Sequence, residues 1–265
     1  MTRRETRRAM AARPIVVFSM GKTGTTSLTA ALERATGRPV VKAHALSDDG
    51  IERRLAKAGN LAINARPRFL WECEAIAEVV AGGGDWQILC GVRDPIALAV
   101  SDHFYGLQRQ AEVGVDPWLG ADADTGRHRA AIEENLVANF VERDWFADEL
   151  RAVTGIDAYA TPFPTDEGHL TVTNGRFTAL ITRAEDLSRV GPTAIAAFLD
   201  LPTPLDIDRR NVGDRAAGSA RDRFLARGRL GPAVVDAAYE TPMARHFYTD
   251  DERRELAARW TGALV

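Results

Sequence analysis

Apolar positions along the chain follow two spacings. Near-continuous apolar, β-branched runs cover residues 15–18, 39–44, 86–92 and 177–182, each about the length of a strand. The longest, Trp86-Gln-Ile-Leu-Cys-Gly-Val92, is apolar on both faces, as expected for a strand covered on each side of a parallel sheet. Between these runs apolar residues recur at three- and four-residue intervals, which predicts helices. The first opens at Thr25-Thr26-Ser27 and carries Leu28, Ala31 and Leu32 on one face. Further helices are predicted from Ser47 or Asp48 toward residue 58 and over 69–80, 96–111, 130–141 and 145–153. A helix ending near Leu199 and one over 250–260 complete the pattern. Residues 112–127 and 205–218, rich in Gly, Asp or Arg, read as loops.

Strands that alternate with helices imply an α/β layer fold with right-handed connections around a parallel sheet, followed here by a helical C-terminal part. At 265 residues and 45% apolar composition the chain suits one domain over 14–265, preceded by a basic flexible tail over 1–13. A net charge of −3 argues against a general nucleic-acid-binding surface. The basic tail lacks the apolar core of a signal peptide and no window reaches the length of a membrane span, so a cytoplasmic protein is expected. Cys73 and Cys90 show no metal-ligand spacing; Cys90 falls in the apolar strand pattern as a small core residue.

The most specific chemistry lies where the first strand meets the first helix. Gly21-Lys22-Thr23-Gly24-Thr25-Thr26-Ser27 joins a glycine turn, a lysine and hydroxyl donors to a helix N-terminus. Free backbone N–H groups and the positive end of the helix dipole converge there, so the turn suits phosphate or sulfate. The order is not that of a Walker loop, where the lysine follows the second glycine. Lys22 is one of only three lysines among 34 cationic residues, consistent with selection for a compact point charge. A second motif, Val92-Arg93-Asp94-Pro95, places an arginine at the carboxyl end of a strand, with Ser101 eight residues later. Asp94 can cap the following helix, and Pro95 suits its first position.

The glycine turn resembles the 5′-phosphosulfate loop, and the Arg93–Ser101 pair the 3′-phosphate motif, of sulfotransferases that use 3′-phosphoadenosine-5′-phosphosulfate (PAPS). Further matches run in order: residues 41–47, Trp145-Phe146, 155–159, Phe163, 185–187, Phe198-Leu199, 211–213 and Phe247-Tyr248 near Trp260. Together they resemble the branch of bacterial proteins named for capsular polysaccharide synthesis. The resemblance implies a three-layer, P-loop-like parallel sheet flanked by helices. It also implies transfer of a sulfuryl group from PAPS to a hydroxyl, on a carbohydrate or glycoconjugate, leaving 3′,5′-adenosine bisphosphate and calling for no metal. Gly21 to Ser27 with Lys22 would hold the 5′-phosphate and stabilise the leaving oxygen; Arg93 and Ser101 would hold the 3′-phosphate. Arg215 stands where the branch commonly has a lysine and is assigned to phosphate contact.

A hydroxyl acceptor needs a general base. Among five histidines, His44 lies at the end of the predicted second strand, beside the same crevice; His103, Asp48 and Glu72 are the alternatives. His128, His169 and His246 read as packing or surface residues. Arg209, Arg210 and Arg215 would line an anionic mouth or form an exposed loop, and Trp118 is a candidate sugar contact. Two other functions fit parts of the pattern: a P-loop-like small-molecule kinase, and a non-catalytic nucleotide-binding protein in polysaccharide assembly.

Overall fold

Each of the four apolar runs becomes a strand, and a fifth, more polar strand joins them. The computed structural model describes residues 15–38, 40–59, 73, 76, 83–112, 114, 125–207 and 215–262. In chain order its elements begin β1 (Ile15–Phe18), α1 (Thr25–Thr36), β2 (Val40–Ala43), α2 (Asp48–Gly59), β3 (Trp86–Val92), α3 (Pro95–Glu112) and α4 (Thr125–Leu136). A π-helical segment, Phe146–Arg151, precedes β4 (His169–Asn174), β5 (Phe177–Arg183) and α5 (Gly191–Phe198). The last four are α6 (Arg215–Arg227), α7 (Pro232–Tyr239), α8 (Pro242–Phe247) and α9 (Asp250–Thr261). The elements divide between two compact units, residues 1–92 with 145–210 and residues 93–144 with 211–265.

The first unit contains the whole sheet, ordered β2-β1-β3-β5-β4. β1 runs parallel to β2 and β3, and β3 parallel to β5. All four residues of β1 are buried, so both faces of this strand are covered, as its unbroken apolar run implies. On one face Ile15, Val17, Leu89 and Leu180 pack with Leu28 and Leu32 of α1 and Ile195 of α5. The sheet is mixed rather than wholly parallel, because β4 pairs antiparallel with β5. β4 closes a hairpin at Asn174↔Phe177, where Gly175 adopts φ 56°. As an edge strand it leaves half its side chains in solvent and needs no apolar run. The Thr171-Val-Thr-Asn-Gly175 text was the signal for it.

The helix starts agree closely with the sequence pattern. Ser47 caps α2, its Oγ accepting from Gly50 N at 3.0 Å. Both expected loops are partly helical: α4 begins at Thr125, inside the 112–127 stretch and five residues before its expected start, and α6 begins at Arg215, inside the 205–218 stretch. Ala220 and Phe224, four residues apart and buried, supply the apolar stripe that holds it. Of the predicted 69–80 helix, Cys73 and Ile76 are helical and buried, and the rest lies outside the described residues. So do the tail over 1–13, most of the 112–127 loop with Trp118, Glu72, and Arg209 to Asp214. Cys73 and Cys90 are buried free thiols, Cys90 in the core of β3. No helix among the described residues is long and apolar enough to cross a membrane.

The second unit is helical and organised around one buried carboxylate. Asp94 stands just before α3, with Pro95 as the first helical residue, and Oδ1 accepts from Ile96 N at 3.0 Å. The same oxygen accepts from Tyr239 Oη at 2.9 Å, and Oδ2 accepts from Trp260 Nε1 at 3.1 Å. The carboxylate therefore fastens the ends of α7 and α9 to the start of α3. Burial pushes its pKa up, against the opposing pull of the Tyr239, Trp260, Ile96 and Ala97 donors. Around it Ile96, Phe104, Ile132, Phe224, Val235 and Trp260 form an apolar core. Tyr239→Phe removes a donor from an oxygen that water cannot reach, and a loss of about 1–3 kcal/mol in unfolding free energy is expected. Urea titration of the wild-type and variant proteins measures it.

Candidate functional site

The strand order places a topological switch at β1. The first crossover leads from β1 to β2 on one side, and the next returns to β3 on the other. Open α/β sheets bind ligands in the crevice outside the carboxyl ends of such neighbouring strands. The Gly21–Ser27 turn stands at the carboxyl end of β1, facing this crevice.

Ser19, fully buried, ties that turn to both neighbours of β1. Its N–H donates to Ala43 O at 3.1 Å, extending the β1–β2 ladder by one step. Its Oγ lies 3.0 Å from both the N–H and the carbonyl oxygen of Gly91 on β3, accepting from the first and able to donate to the second. Thr23 Oγ1 lies 2.8 Å from Ser19 Oγ and donates to Met20 O at 3.0 Å. Thr23 is thus buried, with its hydroxyl turned into the protein rather than toward a ligand. Gly91 makes this possible, because a Cβ there would stand 2.8 Å from Thr23 Oγ1 and 2.9 Å from its Cβ.

On either side of Thr23 the chain passes through a left-handed residue, Lys22 at φ 65° and Gly24 at φ 84°. A non-glycine residue in this region is uncommon, and Lys22 is half-buried there. Gly24 precedes α1 with no side-chain cap, and Leu28 N is the first helical amide to close on it. The N–H groups of Thr25, Thr26 and Ser27 accordingly have no acceptor within the helix. Thr25 and Ser27 are buried, and Thr26 is the exposed hydroxyl. A small cleft behind the turn is lined by Thr23, Thr25, Gly91, Thr182 and Leu187, with the Cys90 thiol among them. Burial pushes that thiol far up, so it is no nucleophile.

His44 joins the same turn. Its Nδ1 lies 2.6 Å from Ser19 O; a carbonyl accepts, so Nδ1 carries the hydrogen and Nε2 the lone pair. Burial lowers its pKa to about 4, and the positive charges of Arg54, Lys42 and Lys22 act in the same direction, against the Ser19 hydrogen bond. The imidazole is neutral at pH 7 and presents a fixed basic nitrogen.

Comparison with known protein families, with curated proteins and with solved structures finds no match to this chain. The chemistry of the turn and its neighbours is therefore the ground for a functional assignment.

Gly21 to Ser27, Lys22 and His44 share the first unit. Arg93, Ser101 and Arg215 fall in the second. Arg93 directly follows the last residue of β3 and is half-buried, as is Ser101 on α3. Arg215 is the first residue of α6. His103, also in the second unit, lies with Nε2 3.0 Å from His128 Nδ1, and burial lowers its pKa to about 4 with the His128 charge contributing. His128 is buried, matching its expected packing role. Asp48 is exposed in the first turn of α2.

Several positions escaped the sequence pattern. Gly91, isolated within an apolar strand, did carry the mark of a close backbone approach. Ser19 sat in view as a small polar residue after the first strand. Trp145 stood among the matched residues but with no sign of its partner, and Glu149 had no sequence signal: Trp145 Nε1 donates to His44 O at 2.9 Å across a hundred residues, and Glu149 accepts from Ser47 in the same way.

Two outcomes are expected from this geometry. Gly91→Ala pushes a methyl group against Thr23 and Ser19, and should cost about 1–3 kcal/mol of stability, measurable by thermal or urea unfolding. The low pKa of His44 has a defined sign. Between the ordinary value of 6.5 and about 4, the unfolded chain takes up a proton that the folded protein refuses, so stability falls as pH drops through that window. His44→Asn, which keeps a donor for Ser19 O but does not titrate, should shrink the slope of urea midpoint against pH; the remainder includes His103.

Proposed function

We propose that the protein is a PAPS-dependent sulfotransferase that moves a sulfuryl group to a hydroxyl, on a carbohydrate or glycoconjugate. One observation carries the reading. A lysine in left-handed conformation and an uncapped helix N-terminus share a turn with a neutral histidine whose lone-pair nitrogen is fixed. The first two suit an anion losing its bridging oxygen, and the third suits a hydroxyl losing its proton. A mixed α/β sheet with a glycine turn at its switch point suits a phosphosulfate donor, and the Arg93–Ser101 spacing suits the 3′-phosphate that distinguishes PAPS from ATP.

In this reaction the acceptor oxygen attacks sulfur from the side opposite the bridging oxygen. The new O–S bond forms as the bond from sulfur to the 5′-phosphate oxygen breaks, through a loose in-line transition state. The acceptor proton passes to His44 Nε2. Lys22 and the amides of Gly21 to Thr26 stabilise the charge growing on the leaving oxygen, which departs as part of 3′,5′-adenosine bisphosphate. The buried Thr23 hydroxyl shapes the turn and takes no part in ligand contact; Thr26 and the backbone amides are the groups that reach the donor.

Calorimetric titration with 3′,5′-adenosine bisphosphate, beside ATP with magnesium, tests the donor assignment. Preferential binding of the bisphosphate is expected, weakened about tenfold or more (~1.4 kcal/mol) in Arg93→Ala and in Lys22→Ala. Magnesium-dependent ATP binding with no response to the bisphosphate would overturn the reading in favour of a kinase, and binding of neither would favour a scaffold.

A further inference from the structure

His44 is held by its ring on one side and by its backbone on the other, and the backbone restraint comes from a distant segment. Trp145 stacks edge-on against Phe18 at the end of β1, with ring centroids 5.0 Å apart, and its Nε1 donates to His44 O at 2.9 Å. Four residues on, in the π-helical segment Phe146–Arg151, Glu149 is buried to 2% exposure. Its Oε2 accepts from Leu46 N at 2.8 Å and Ser47 N at 2.9 Å, and its Oε1 accepts from Ser47 Oγ at 2.9 Å. Arg53 Nη2 of α2 lies 3.5 Å from Oε1. Residues at i and i+4 lie on one helical face, so a single turn grips the chain at both ends of the peptide stretch that carries the histidine.

A built space receives this carboxylate. Gly50, in the first turn of α2, has no side chain, and a Cβ there would lie 1.7 Å from Glu149 Oε1. A buried carboxylate with three donors and an arginine is costly to assemble, and here all three donors belong to residues 46 and 47. The position fixed here is that of residues 44–47. Nothing in the donor chemistry calls for Trp145 or Glu149 to touch a ligand.

We propose that Trp145 and Glu149 are positioning residues for the general base: they clamp the His44 backbone so that the Nδ1–Ser19 hydrogen bond forms and Nε2 points toward the acceptor hydroxyl. The inference rests on the sulfotransferase reading for its catalytic meaning, but the clamp itself is read from the ring. Displacements of about an ångström around a reacting group are enough to slow a step by an order of magnitude or more.

The experiment compares wild type with Trp145→Phe, which keeps the ring against Phe18 but removes the donor, and with Ser47→Ala, which removes one bond to Glu149 at a half-exposed site. Long-range ¹H–¹⁵N spectra of the imidazoles report tautomer and titration of His44 without need of turnover, with Arg54, Lys42 and Lys22 as the charges that face it. In both variants the Nδ1–H tautomer of His44 should lose population, as its hydrogen bond to Ser19 O is weakened. With labelled PAPS and an acceptor, kcat should fall about tenfold with the KM for PAPS unchanged. Wild-type ring signals in both folded variants would overturn the clamp. Should Trp145→Phe fail to fold, Ser47→Ala decides by the same signals. Ring signals that change in the variants, while the wild-type protein shows no sulfuryl transfer, would uphold the clamp and overturn the sulfotransferase reading, so the two failures are distinguishable.

Discussion

Ser19 spends every polar atom it has on holding three strands and a turn in one arrangement. Its N–H continues the β1–β2 ladder, its carbonyl orients His44, and its hydroxyl joins Gly91 of β3 and Thr23 of the turn. Inside a core with no water, each of these groups would cost more unpaired than its bond returns paired, so the set is satisfied together or not at all. The geometry of the turn and that of the His44 imidazole both descend from this one residue. The left-handed Lys22 and the uncapped start of α1 are tolerable because the preceding residues cannot shift.

A second buried polar node has a different effect. Asp94 belongs to the arginine-containing motif that suggested phosphate binding, yet its own oxygens are wholly engaged by Ile96, Tyr239 and Trp260. It closes the helical unit, so its role there is architectural. Motif and architecture overlap here: one dipeptide begins a core and ends a strand.

Legibility in the sequence followed periodicity. Strands buried on both faces announced themselves as apolar runs, and the helices as three- and four-residue spacing, because burial is what selects those residues. The glycine turn was visible for the same kind of reason, since only a few residue types suit left-handed backbone beside an anion. β4 left only a weak trace, as an edge strand can be polar, and 205–218 reads as loop because its text is polar and rich in arginine, although α6 begins at Arg215. The partners of residues 44–47 were beyond reach altogether. Trp145 and Glu149 meet them through tertiary contacts about a hundred residues long, and no local pattern encodes such a pairing.

The order of strands also bears on how the chain reaches this state. β3 pairs on one side with β1, seventy residues earlier, and on the other with β5, where Trp86 meets Phe177. Between β3 and β5 the chain runs through the whole of residues 93–144. During synthesis the ribosome releases β1, β2 and β3 well before the strand that will cover the free edge of β3. That edge, with Ile88, Leu89 and Cys90 at its centre, stays open for as long as about ninety further residues take to emerge, on the order of 5–20 s. Non-local parallel pairing of this kind folds slowly and leaves a sticky template in the meantime. The nascent chain is thus a natural client for chaperones, and the same connectivity that builds the crevice makes the half-made protein its own aggregation hazard.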